Sequence, residues 1–177
     1  MVAIPFDVND DAQRQAFFDH VFCTCVAGLT EDARARWGKM TPQNMLEHLL
    51  WAFECSTGAV EVTCRIPANL LERTKRFLYD NRPTPREFKN PLLGEDPLPH
   101  RFRSFADAKD ALQQSVMRFG TYFLERPGAI HIHPIFGPLG AAEWQRSHFK
   151  HCYHHLLQFS LVDPLRTDQR PGNGQDR

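Results

Sequence analysis

The sequence predicts an all-α protein: a four-helix bundle with a short extra helix and a long proline-rich crossover loop. Three observations predict it. Four segments carry apolar residues spaced by threes and fours, the period of a helix with one buried face. No long stretch alternates apolar and polar residues as a half-buried strand does. Two of the segments open on side chains suited to capping a helix. Amphipathic helices with no strands beside them bury their stripes on one another, and that is a bundle.

The first helix is expected from about Asp10 to Leu29, with Phe18, Val21, Phe22, Cys25 and Leu29 as its apolar stripe. His20 falls opposite that stripe, in solvent. The second opens at Thr41-Pro42, an N-cap followed by proline at the first helical position. It runs to about Val60 with Met45, Leu49, Ala52, Phe53 and Ser56 on one side. A shorter helix follows Pro67, from Ala68 to Tyr79. The fourth opens at Ser104 with Asp107 three residues on, resembling a capping box. Its stripe is Phe105, Ala108, Leu112, Val116, Phe119 and Phe123, and Pro127 closes it. The last helix runs from about Ala141 to Val162. Residues 1–163 then form one helical domain, and 164–177, ending RPGNGQDR, a disordered tail.

Two connections stand out. Residues 81–103 hold five prolines and no helical period. A connection of that length either covers a site or is a stiffened crossover. Residues 127–140, PGAIHIHPIFGPLG, are read as a loop.

Composition narrows the function classes. Hydrophobic residues make up 42% and charged ones 24%, as in an ordinary globular domain. Lys plus Arg and Asp plus Glu both total 21, which gives no basic stripe for nucleic acid. No apolar run is long enough for a membrane span. The start, MVAIPFDVNDD, does not read as a signal peptide. Five cysteines (Cys23, Cys25, Cys55, Cys64, Cys152) fit neither a CxxC zinc pattern nor a disulfide framework, so reduced thiols in a cytoplasm are expected. No GxGxxG, Walker A, GxSxG or HExxH occurs. The basic residues Arg82, Arg86, Lys89, Arg101 and Arg103 cluster in and around the long loop, as solvated surface or as a guide for an anionic substrate.

The histidines are the exception to this plain picture. HFKHCYHHLLQF, from His148 to Phe159, holds four of the nine. At roughly 100° per residue, His148, His151 and His155 fall within about 60° on the last helix. Trp144, Cys152, Phe159 and Val162 share that face, whereas His154 points away toward solvent. Buried imidazoles cost free energy unless hydrogen-bonded or ligated. His151 and His155 stand one turn apart, a spacing that lets two ring nitrogens hold one metal. A further ligand must come from elsewhere, and His48 is the candidate. It borders the apolar face of the second helix, beside the small residues Ala52, Cys55, Ser56 and Ala59.

WGKMTPQNMLEHLLWA and HPIFGPLGAAEWQRSHFKHCYHHLLQF together resemble the DinB-like superfamily, over roughly residues 10–162. Within it, the chain is similar to a branch catalogued as a domain of unknown function. The resemblance implies a four-helix bundle, often dimeric, with a divalent metal (Zn, Ni or Fe) held by three histidines. One comes from the second helix and two from an HxxxH pair followed by a glutamine. Those positions carry His48, His151, His155 and Gln158. His148, one turn before His151, is then a fourth ligand, a donor behind the ligands or a substrate contact. Cys152 lies among these histidines in angle and either binds a soft metal or fills the core. His133, in HPIFG, lines the site or holds the loop.

The expected function is that of a metal-dependent enzyme acting on a small molecule, either a hydrolase or a thiol-dependent transferase or isomerase using a low-molecular-weight thiol. The rival is a non-catalytic bundle whose metal is structural or sensory. A closed fourth ligand from His148 or Cys152 would favour the rival.

Overall fold

The computed structural model describes residues 6–86 and 96–163. They are mostly helical, with one small two-stranded sheet. Helix α1 covers residues 11–28 in three consecutive stretches: Asp11–Ala16, then Phe17–Phe22 wound as a π-helix, then Cys23–Gly28. The π turn re-aims the apolar stripe. With more residues per turn, positions five apart face the same way. Phe17 and Phe22 are therefore both buried, with Phe18, Val26 and Leu29, while Val21 and Cys25 are only partly covered.

Helix α2, Pro42–Ser56, starts as its sequence dictates. Thr41 Oγ1 accepts from the Asn44 amide at 3.2 Å, Asn44 Oδ1 accepts from the Thr41 amide at 3.1 Å, and Pro42 fills the first turn. It stops at Ser56, short of Val60, because Gly58 turns to φ 74°. His131 fills the space where a Cβ at position 58 would stand, its Cε1 only 2.5 Å away. Helix α3, Ala68–Lys75, tightens into a 3-10 turn over Arg76–Tyr79. Helix α4, Phe105–Glu125, is capped by Ser104, whose hydroxyl accepts from the Asp107 amide at 3.1 Å.

The segment expected as a bare loop holds a hairpin instead. Strands β1 (His131–His133) and β2 (Gly137–Leu139) pair antiparallel with His133 opposite Gly137. Three-residue strands are too short for alternation to register. The signal lay in the turn: Pro134 after His133, and Gly137 at φ 69°, a left-handed conformation that glycine takes without a Cβ penalty. Helix α5, Ala141–Gln158, ends before the expected Val162. Ser160 takes φ 58°, and Leu161 N–H and Ser160 N–H bond to the Leu156 and Leu157 carbonyls at 2.8 and 3.2 Å. This is a Schellman stop with serine where glycine is usual.

Helices α1 and α2 each pack on both α4 and α5, with α2 against α4 the most extensive pairing. Between them lies a core that includes Phe22, Leu49, Phe53, Leu112, Phe119, Phe149 and Leu156. No helix of the described residues is long and apolar enough to cross a membrane. The centre of the 81–103 connection and the tail 164–177 lie outside the described residues.

Candidate metal centre

Helix α2 brings one histidine to the place where α5 brings two. His48 sits a turn and a half into α2, between Met45, Leu49 and Ala52, which anchor that face in the core. Its Nε2 lies 2.8 Å from His151 Nε2, and His151 Nε2 lies 3.2 Å from His155 Nε2. All three nitrogens fall within 4.8 Å of one another. His155 is buried and the other two are half-buried, so the cluster keeps one side toward the surface. The expected trio is thus assembled in space.

Electrostatics keep these rings neutral. Burial, then the neighbouring His154, pushes His48 down to about 4. Burial pushes His151 and His155 well below the ordinary histidine value, and the surrounding imidazoles push the same way. Neutral imidazole has one proton and one lone pair. A proton on His151 Nε2 can satisfy one of the two short contacts, not both linearly. A cation between the three nitrogens satisfies all of them. Ligand nitrogens on a tetrahedral zinc stand roughly 3.3 Å apart, and the His151–His155 separation of 3.2 Å lies close to that. The donor set can hold a metal ion.

Gln158 sets the tautomer. Its Oε1 lies 2.8 Å from His155 Nδ1, so Nδ1 carries the proton and Nε2 presents its lone pair to the cluster. The amide is itself held, because its Nε2–H donates to the Trp37 carbonyl at 2.9 Å. Gly38 makes room for this arrangement: at φ 77°, a Cβ there would stand 3.1 Å from Gln158 Nε2. Conserving ring orientation through such outer contacts is how protein sites fix metal-binding histidines.

The other singled-out residues go elsewhere. His148 does not join the trio. Its ring is stacked on Phe53 at 3.9 Å and on Trp144 at 5.4 Å, with Phe119 edge-on at 4.9 Å, and its Nε2 has no hydrogen-bond partner. Cys152 is fully buried in the core, with its thiol pushed well above the usual range by burial, and does not belong to the cluster either. His133 holds the hairpin: its Nδ1 accepts from the Ile135 and Phe136 amides at 3.0 and 3.3 Å, leaving Nε2–H to meet Ser147 Oγ at 3.2 Å. His154 corrects the helical-wheel expectation. It is buried, because the chain at Thr84 covers it and accepts from its Nδ1 at 3.3 Å.

Three neighbours flank the site: Trp37, which opens the first quoted motif, Arg86, from the basic cluster, and Thr84, which carried no sequence signal. Trp37 stands edge-on to His154 at 5.6 Å, and the Arg86 guanidinium lies 4.9 Å over its ring. Both described ends of the long connection run past this region. Asp96 pairs with Lys39 at 2.6 Å, and Leu98 accepts from Asn44 at 3.2 Å. Glu47, the residue before His48, accepts from the Arg101 and Phe102 amides at 2.7 and 3.2 Å. Arg101 then reaches Glu54 at 2.7 Å. The connection is tied to α2 and α5 beside the histidines.

A family model described as "Protein of unknown function (DUF1569)" matches residues 67–161. The match spans α3, α4, the hairpin and α5, and therefore includes His151, His155 and Gln158 while leaving His48 outside. No curated protein and no solved structure matches the chain.

Proposed function

The chain belongs to the DUF1569 family, whose function is unknown, and we propose that it is a divalent-metal-dependent enzyme acting on a small molecule. In this reading α1, α2, α4 and α5 form a four-helix bundle of DinB-like type, and His48, His151 and His155 are the metal ligands. The observation that carries it is the convergence of three neutral imidazoles without a fourth ligand among the described residues. His148 and Cys152, the two residues able to close the site, are engaged in the core instead. That favours an open site over a structural one.

Three imidazoles suit zinc, nickel or ferrous iron. Such a metal, when bound, lowers the pKa of a bound water or takes a thiolate, which supports hydrolysis or thiol-dependent transfer. The protein's share is to keep the ligand rings neutral by burial, to point His155 through Gln158, and to limit water with the chain at Thr84 that covers His154.

The test is an activity screen of the metal-loaded protein against esters, amides and electrophilic substrates, with and without a low-molecular-weight thiol. Turnover that disappears on chelation and in His151→Leu is the expected result. Full metal occupancy with no metal-dependent turnover would favour the non-catalytic bundle.

A further inference from the structure

We propose that Arg86, laid over Trp37, is the anchor for an oxyanion, a carboxylate or phosphate, on the small molecule that reaches the histidine cluster. This rests on the proposed metal site and adds the substrate class.

The structure sorts the basic residues around the long connection. Arg82 is taken up by Asp80, and Arg101 by Glu54 at 2.7 Å. Lys39 meets Asp96 at 2.6 Å. Arg86 is exposed and meets no carboxylate among the described residues. Its guanidinium lies 4.9 Å over the Trp37 ring. Stacking holds the plane in place while leaving the N–H fork free at its edge, so little freedom is lost when the fork grips two oxygens. The indole N–H of Trp37 beneath it is buried and meets no acceptor among the described residues.

Trp37 ties Arg86 to the histidines twice. Its carbonyl holds Gln158, which meets His155 Nδ1 at 2.8 Å. Its ring lies edge-on to His154, which lies edge-on to His155 at 5.0 Å. The carboxylates nearest on α2 are spent: Glu47 on backbone amides and Glu54 on Arg101. A divalent ion among neutral imidazoles would leave this region positive, which favours an anion. The fitting molecule has an oxyanion at one end and a metal-seeking group at the other.

The test is calorimetric titration of the metal-loaded protein with acetate, succinate and inorganic phosphate, at low and at high salt, in wild type, Arg86→Gln and Arg86→Lys. Metal content is measured in parallel. Because Arg86 is exposed, folding is not at stake. The expected result is saturable binding of one probe class that weakens about tenfold in Arg86→Gln and less in Arg86→Lys, with metal content unchanged. The responding probe identifies carboxylate or phosphate. No binding by wild type, or equal binding by wild type and Arg86→Gln, overturns the proposal. If the chain takes up no metal, the metal site fails separately. The same titration of the metal-free protein then decides Arg86 by the same comparison.

Discussion

His155 Nδ1 and Gln158 Oε1 stand 2.8 Å apart on adjacent turns of α5, and this contact determines which nitrogen His155 turns toward His48 and His151. Replacing Gln158 by Leu removes the acceptor and frees the ring to rotate or change tautomer. Metal affinity should fall about 10- to 100-fold, read by competition with a chelator, while helix content is retained. Gln158→Glu keeps an acceptor and should lose less. Gly38→Ala adds a Cβ 3.1 Å from Gln158 Nε2 at a positive φ, and should lower both stability and affinity. Equal affinity in wild type and Gln158→Leu would remove Gln158 from the site.

The buried histidines set the pH dependence. His48 is pushed down to about 4, His133 to about 3, and His148, His151 and His155 well below their ordinary value, all chiefly by burial. The unfolded chain binds protons near pH 6.5 that the folded one refuses. Stability is therefore fully present above about 6.5 and is lost as pH falls toward the depressed values. Metal adds to this, since ligation needs neutral imidazole. At a hundredfold excess over Kd the ion contributes about 2.7 kcal/mol. The gap in melting temperature between metal-loaded and metal-free protein should shrink from pH 8 to pH 5. An equal gap at both would mean that histidine does not supply the ligands.

All five cysteines are free thiols. Cys55 and Cys152 are buried, with thiols pushed up by burial, to about 12 for Cys55. In the folded protein these two should resist a thiol reagent, and Cys64, half-exposed, should react. Denaturation without reductant should bring the count to five. A count of three or one would reveal disulfides.

Ser160 occupies the left-handed region at φ 58° to end α5. Glycine adopts that conformation without the Cβ penalty of about 1 kcal/mol. Ser160→Gly should raise the urea midpoint by a corresponding amount with the slope unchanged. A lower midpoint would mean the serine side chain contributes something the backbone account omits.

Much of this was legible in the sequence. Periodicity located four of the helices among the described residues and Pro67 the short one, and Thr41-Pro42 and Ser104 marked starts, because caps are local chemistry. The Phe17–Phe22 π turn was not legible, since a stripe read at 3.6 residues per turn absorbs one extra residue without complaint. The hairpin at 131–139 was too short to show alternation. His154 was misplaced for a different reason. A helical wheel knows one buried face, and Thr84 covers the other. The link from Trp37 to Gln158 joins residues 121 apart and left no local trace. His48 and His151 are 103 apart. Their meeting was expected because each stood on a face that should have been apolar, and because both segments resemble one family.

The most direct test of the account is the metal content of the purified protein and of His48→Leu, His151→Leu and His155→Leu, with circular dichroism on the same samples. The account predicts one divalent ion per chain in wild type. In each variant it predicts loss of most of that ion while the helices remain, since an apolar isostere of a buried polar group is tolerated. Full occupancy in all three variants would contradict it.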